Sequence, residues 1–78
     1  MGGKKKLIFS RHSLERMELR GVSQEEVKET VLHPTYKLPI DPQDNTQEFR
    51  RKVGARENYV VVELGRSELI VITAGWSE

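Results

Sequence analysis

The stretch SRHSLERMELRGVSQEEV, residues 10–27, decides the first half of the fold because it contains two helix starts and one helix end. Ser10 is the residue type that caps a helix N-terminus. Gly21 is suited to the left-handed backbone conformation that follows a helix end. The first part of the stretch therefore predicts a helix over residues 11–20.

A second helix start follows immediately. Ser23 and Glu26 have the three-residue spacing of a capping box, in which each side chain accepts a hydrogen bond from the other residue's backbone. The helix is expected to end near residue 32, because Pro34 disfavours helix in the residue before it. Residues 24–32 are therefore predicted as a second helix, which forms a helical hairpin with the first.

The flanking sequence predicts strands and one long connection. All three prolines fall in residues 33–46, which predict an irregular connection. Runs rich in apolar residues predict four strands, at residues 6–10, 47–53, 58–64 and 68–74. The order strand-helix-helix-strand-strand-strand predicts an α+β domain with the hairpin on a mainly antiparallel four-stranded sheet. Two helices cover one sheet face, so the other is expected to meet the loop, the C-terminal tail or a partner.

Length and composition exclude several classes of protein. A chain of 78 residues predicts one domain, assigned to residues 6–76 after a basic N-terminal tail of residues 1–5. The absence of cysteine excludes disulfides and thiol-bound metals, and no apolar run is long enough for a membrane helix. Two histidines without a recognisable ligand spacing predict no metal and no cofactor. The cytoplasm is the expected location.

Three basic side chains recur at steps of four in the first helix: His12, Arg16 and Arg20. Such spacing places them along one side of the helix. We expect this stripe to border the buried face of the helix, which is predicted to consist of Leu14, Met17 and Gly21. The stripe is either a solvated surface, with Arg16 paired to a neighbouring glutamate, or part of a binding site.

The string RHSLERMELRGVSQEEV, with its pattern H-x-x-x-R-x-x-x-R-G-x-S, resembles the opening of a family of small prokaryotic domains grouped with RelE-like and BrnT-like toxins. The later segment NYVVVELGRSELIVITA resembles the closing hairpin of the same family. The resemblance covers residues 8–74 and implies a RelE-like fold. It also implies a toxin of a toxin–antitoxin system that cuts messenger RNA without a metal, often on the ribosome, and is silenced by an antitoxin-like protein.

Metal-free RNA cleavage requires a base, an acid and cations that stabilise the charged phosphorane. We expect the catalytic groups to be His12, Arg16 and Arg51. The residues expected to bind RNA are Arg20, Arg50, Lys52, Arg56 and Tyr59. The hypothesis requires the imidazole and guanidinium groups to meet in one accessible cluster.

Other interpretations of the same residues remain open. Arg50 and Lys52 are equally explained as charges that keep an edge strand soluble, and Tyr59 as a core residue. The alternative function is a non-catalytic interaction module that dimerises or binds a peptide through its sheet.

Overall fold

The computed structural model of the chain describes residues 5–78. Its elements in chain order are β1 (Lys6–Phe9), α1 (Arg11–Arg20), α2 (Gln24–Leu32), β2 (Tyr36–Lys37), β3 (Thr46–Val53), β4 (Arg56–Leu64) and β5 (Glu68–Ser77). The α+β class and the two helices agree with the sequence. Of the predicted basic tail, only Lys5 lies among the described residues.

The sheet has five strands in the order β1-β5-β4-β3-β2 and is mixed, whereas four mainly antiparallel strands were expected. The β2–β3, β3–β4 and β4–β5 pairings are antiparallel, and β1 pairs in parallel with the first part of β5. The helical hairpin follows β1, so β1 does not pair with the next strand along the chain. It pairs instead with the last strand, β5. A parallel neighbour requires such a long connection.

The additional strand, β2, lies inside the predicted long connection. It has only two residues and lies between two prolines, so no strand pattern can be recognised in the sequence. It forms because the backbone of β3 offers hydrogen-bonding groups with which these residues can pair. Backbone hydrogen bonds from Thr35 to Arg50 (2.7 Å) and from Leu38 to Glu48 (3.0 Å) extend the pairing on both sides. Prolines next to so short a strand are typical of a sheet edge.

The helix caps form as their sequence predicts. The Ser10 side chain accepts a hydrogen bond from the Ser13 backbone (3.1 Å), and Gly21 is left-handed with φ +69°. Ser23 and Glu26 form the complete capping box, with hydrogen bonds of 2.9 and 3.1 Å. These short-range bonds define the helical hairpin.

The buried face of α1 differs from the prediction. Ser13 and Met17 are buried, whereas Leu14 is 38% exposed. Ser13 tolerates burial because its hydroxyl donates to the Ser10 carbonyl at 2.7 Å. Its small size also lets α1 approach the sheet closely. Met17 belongs to both faces, so the buried face is shifted around the helix by roughly 50° relative to the expected one.

A β-bulge in β5 controls which side chains reach the core. Val61 pairs with Thr73 and Val62 with Val71, so Ile72 has no partner on β4. The extra residue shifts the alternation of β5 and brings both Val71 and Ala74 to the covered face, where neither is exposed. The bulge comes where β1 ends, since β1 pairs only with Glu68–Val71.

Both helices lie on one face of the sheet, called here the covered face. The core on this face contains Met17, Val22, Val27, Phe49, Val60, Val62, Val71 and Ala74. The opposite face, called the open face, carries the alternate residues of the strands. Among these residues are Ile8, Arg50, Glu57, Tyr59, Val61 and Ile70.

Candidate functional site

The basic stripe of α1 meets, at its last member Arg20, the part of β5 that β1 does not cover. Arg20 Nη1 donates to Thr73 Oγ1 at 2.8 Å and to the Ala74 carbonyl at 3.3 Å. His12 and Arg16 precede Arg20 by two turns and one turn on the same side of the helix. His12 is exposed and Arg16 is half-buried. The stripe therefore extends over about 12 Å of the helix and is joined to β5 by Arg20.

The stripe continues beyond the end of α1 through Trp76. The indole nitrogen of Trp76 donates to the Gly21 carbonyl at 3.2 Å, which joins β5 to the helix end. The guanidinium of Arg56 lies 4.1 Å from the centre of the Trp76 ring, a cation–π contact. Arg56 is thereby held next to the turn that follows Arg20.

These four side chains, His12, Arg16, Arg20 and Arg56, are called the basic ridge. Within residues 5–78, no ion pair involves any of them. The contacts of Arg20 and Arg56 are with neutral groups, a hydroxyl, a carbonyl and an aromatic ring. The guanidinium groups of Arg20 and Arg56 are thus held in position without a direct ion pair, although Glu25, Glu26 and Glu29 line a cavity next to Trp76. A charge held without a direct partner suits an anionic ligand such as a phosphate.

Tyr59 lies next to the ridge on the open face. Its ring packs over Gly75, since a Cβ atom at Gly75 would lie only 2.5 Å from Tyr59 Oη and 2.7 Å from Cζ. Gly75 follows Ala74, whose carbonyl accepts from Arg20. The aromatic ring and the guanidinium therefore reach the same part of β5. Tyr59 is half-buried against the sheet and is not a core residue.

Arg50 belongs to a different cluster on the open face. Its guanidinium contacts Glu48 at 2.6 Å and Glu57 at 3.0 Å, and it lies 5.3 Å from the centre of the Tyr59 ring. The Tyr36 hydroxyl donates to Glu57 at 2.9 Å. Because two carboxylates balance its charge, Arg50 attracts a phosphate less than the members of the ridge do.

Hydrogen bonding in this cluster changes its acid–base behaviour. The hydrogen bond from Tyr36 is the main reason that the pKa of Glu57 is lowered; Arg50 adds to this effect, and burial opposes it. The same bond raises the pKa of Tyr36, because ionisation would place a second negative charge beside Glu57. Burial favours a lower pKa for Arg50, but its two hydrogen-bonded carboxylates outweigh burial and raise it.

We expect the substitution Glu57→Gln to weaken the pH dependence of stability in acid solution. Since the pKa of Glu57 is lower in the folded protein, its carboxylate stabilises the fold above the pKa of the unfolded chain, about 4.3. This contribution is lost as the pH falls through the lower folded value. Urea denaturation at a series of acidic pH values measures it.

The control is Glu63→Gln, which changes an exposed glutamate on the same strand and face that has no ion pair within residues 5–78. It should keep the pH dependence of the unmodified protein. Equal loss of pH dependence in both variants would contradict the role given to Glu57.

Arg51 lies on the covered face, as the strand alternation predicts. Its Nη1 donates to the His33 carbonyl at 2.8 Å, and its Nη2 is 4.0 Å from Glu29. It therefore ties the end of α2 to β3. Of the three residues expected to be catalytic, the structure places His12 and Arg16 on the basic ridge and Arg51 with α2 on the other side of β4.

The predicted RNA-binding residues are likewise divided. Arg20 and Arg56 belong to the basic ridge, whereas Arg50, Lys52 and Tyr59 belong to the open face. Lys52 is exposed and lies opposite Glu57 in the strand register. Sequence reasoning missed Tyr36 and Glu57, whose contact depends on β2 and β4 lying on either side of β3. It also missed the contact between Arg56 and Trp76.

Two further findings concern residues 5–78. No three histidine, aspartate or glutamate side chains in this part of the chain gather closely enough to hold a metal ion. None of the helices formed by these residues has the length and apolar character needed to cross a membrane.

The fold and the basic ridge define a small α+β domain with a cationic surface beside an unpaired strand edge. The chain belongs to the family described as Domain of unknown function (DUF4258), which matches residues 9–76. The matched range includes the whole basic ridge and both helices. No curated protein and no solved structure matches the chain.

Proposed function

We propose that this domain binds single-stranded RNA along the basic ridge. The observation that carries the proposal is the row of basic side chains on one side of α1, whose last member Arg20 contacts β5 close to Arg56, with the contacts of both arginines made to neutral groups. Phosphates of a nucleic acid backbone are the polyanion that such a row recognises. A wholly solvated stripe would not hold Arg20 and Arg56 in defined positions.

Tyr59 supports single-stranded RNA as the ligand. Unpaired bases can stack on an aromatic side chain, whereas the bases of a duplex are covered by their neighbours. The ring of Tyr59 is half-buried over Gly75 with the Arg50 guanidinium 5.3 Å from its centre, so a base would contact the part that these neighbours leave exposed. With the backbone on Arg16 and Arg20, a base that crosses the β5 edge reaches the ring of Tyr59 above Gly75. The ridge therefore supplies affinity, and Tyr59 supplies a preference for unpaired bases.

The resemblance to RelE-like and BrnT-like toxins suggests the biological setting. In that setting, the domain has a RelE-like fold and is the toxin of a toxin–antitoxin system in the cytoplasm. It acts on messenger RNA, alone or on the ribosome, and an antitoxin-like protein silences it. These features belong to the proposal and rest on the motif from His12 to Ser23.

The test is RNA binding by the double variant Arg16→Gln/Arg56→Gln. Removing two phosphate contacts is expected to lower the affinity for a single-stranded RNA about tenfold at 0.1 M salt. The slope of log affinity against log salt concentration should also decrease by about 1.4. Fluorescence anisotropy of a labelled oligonucleotide, measured over a range of salt concentrations, gives both quantities.

The matched control is Lys28→Gln/Arg66→Gln, which removes the same charge from exposed positions outside the ridge. It should leave both the affinity and the salt slope nearly unchanged. Salt-insensitive binding, an equal loss in both double variants or the absence of binding at low salt would each contradict the proposal.

The same oligonucleotide also tests cleavage. In a metal-free reaction, the ribose 2′-oxygen attacks the adjacent phosphorus, its proton goes to a base, and an acid protonates the departing 5′-oxygen. Histidine can perform either proton transfer near neutral pH, so His12 is the proposed catalytic group on the ridge. Cleavage in the presence of a chelator that disappears in His12→Gln would support this role. RNA binding without cleavage would limit the domain to a binding function.

A protein-interaction module is the second candidate function. The observation that favours it is the uncovered sheet face, on which Ile8, Val61 and Ile70 are half-buried without a helix above them. A homodimer or a peptide could cover these side chains. Sedimentation that shows a salt-insensitive dimer at low concentration would favour this function over RNA binding.

A further inference from the structure

The two helices leave part of the covered face without a helix. α1 packs against β5, and α2 packs against β4 and β3. The space over the beginnings of β1 and β5 lies in the same layer as the helices, and no helix formed by residues 5–78 fills it. It forms a groove of about 480 Å³, called the apolar groove, whose apolar lining is Leu7, Val31, Leu32, Phe49 and Leu69.

The rim of the apolar groove is positively charged. Lys5 and Lys28 belong to its lining, and no carboxylate does. Lys37 adds a third cation, because its Nζ lies 5.8 Å from the centre of the ring of Phe49. The occupant of the groove should therefore combine an apolar surface with negative charges on its flanks.

The charges of α2 are separated between its two sides. Glu25, Glu26 and Glu29 face a small cavity shared with Arg51, on the side away from the groove. Lys28 faces the groove together with Val31 and Leu32. The α2 residues that line the groove are therefore apolar or basic, and none is acidic.

The shape of the groove favours a helix as its occupant. A pocket for a small ligand usually encloses most of the ligand. This groove is open, and Leu32 remains 59% exposed. A helix is about 10 Å in diameter and packs on a sheet as α1 and α2 do. A third helix would complete the layer and cover Leu32.

We propose that the apolar groove binds an amphipathic α-helix of another polypeptide, with leucine-type residues at i, i+4 and i+7 and acidic residues beside them. The apolar side chains enter between Val31, Phe49 and Leu69, and the acids pair with Lys5, Lys28 and Lys37. This helix-in-groove recognition does not depend on RNA binding. It uses the opposite sheet face from the second candidate function described above.

The test uses two synthetic helical peptides with the same leucine spacing, one with glutamate flanks and one with lysine flanks. We expect the acidic peptide to bind at least tenfold more tightly than the basic peptide in fluorescence anisotropy. Amide NMR shifts should change around Leu7, Val31 and Leu69. Similar affinity for both peptides, or shifts confined to the open face, would overturn the proposal.

Two variants identify the site. Leu32→Glu should weaken binding of the acidic peptide at least tenfold, because it places a negative charge on the groove wall. The control Leu19→Glu makes the same change at a leucine of α1 that is 84% exposed and is not part of the groove lining. Equal weakening by both variants would contradict the proposed site. Lys28→Glu should reduce the preference for the acidic peptide.

Self-association is the competing explanation for an open groove. If the protein alone sediments as a dimer that Leu32→Glu dissociates, the occupant is a second copy and the proposal is wrong. A monomer that binds the acidic peptide supports it. RNA binding by Leu32→Glu should equal that of the unmodified protein, so failure of this proposal can be separated from failure of RNA binding.

Discussion

The substitution Asn58→Ala should lower the free energy of unfolding by about 3 kcal/mol. Asn58 and Thr30 are fully buried and hydrogen-bonded to each other, with the Thr30 hydroxyl donating to Asn58 Oδ1. Asn58 Nδ2 also donates to the Gly75 carbonyl at 2.9 Å. Truncation leaves the Gly75 carbonyl without this donor and opens a cavity between α2 and the sheet.

A loss of this size is large for so small a domain. At roughly 0.1 kcal/mol per residue, the whole fold is stabilised by only about 8 kcal/mol. The hydrogen bonds of Asn58 connect α2, β4 and β5, so the substitution weakens the attachment of the second helix to the sheet. Urea denaturation followed by circular dichroism measures the change.

Thr30→Val provides the complementary variant. As a single change, Thr30→Val leaves Asn58 Oδ1 without its hydrogen-bond donor and should lower the free energy of unfolding by about 2 kcal/mol. In the double variant with Asn58→Ala, the loss in free energy of unfolding should be about 1 kcal/mol smaller than the sum of the two single losses. The reason is that neither partner of the lost hydrogen bond remains. Additive effects would show that the bond between Thr30 and Asn58 contributes little.

The substitution Gly75→Ala should cost about 2 kcal/mol because the added methyl group meets the ring of Tyr59. The contacts at 2.5 Å to Oη and 2.7 Å to Cζ are shorter than any stable packing distance. Either the ring of Tyr59 moves away from β5 or the strands separate. The effect therefore depends on the presence of Tyr59.

A double-mutant cycle tests this dependence. In the background of Tyr59→Ala, the cost of Gly75→Ala should fall by at least about 1 kcal/mol. The control is Gly54→Ala, at a glycine with φ +63° and no neighbouring atom within 4 Å of an added Cβ. Its cost comes from backbone strain and should be the same with or without Tyr59. Additivity at Gly75 would contradict the proposed contact.

The caps, helices and strand faces could be predicted because their causes are local. Ser10, Gly21, Ser23 and Glu26 bond within a few residues of themselves, so their spacing defines the helical hairpin. Strand alternation likewise separated Arg50 from Arg51, and the structure places them on opposite sheet faces. Leu14 was assigned wrongly because burial of the smaller, polar Ser13 depends on its bond to Ser10 and on the close approach of β5.

For the candidate site, the four-residue spacing of His12, Arg16 and Arg20 identified one continuous side of α1. It could not identify what that side faces. Arg20 reaches β5 only because β1 ends at Phe9, opposite Val71, and leaves the rest of β5 uncovered. Arg56 joins the ridge through Trp76, which is twenty residues away in the chain, and Arg50 is neutralised partly by Glu57 on the neighbouring strand.

The amino-acid sequence by itself determined the two capped helices, the position of the three long strands and the side-chain alternation of β3, because each depends on interactions between residues close in the chain. Only the tertiary structure decided the parallel pairing of β1, the short strand β2, the bulge in β5 and the grouping of basic residues into one ridge. These features depend on contacts between segments that are distant in the chain. The free energy of such contacts depends on how the two helices pack on the five-stranded sheet.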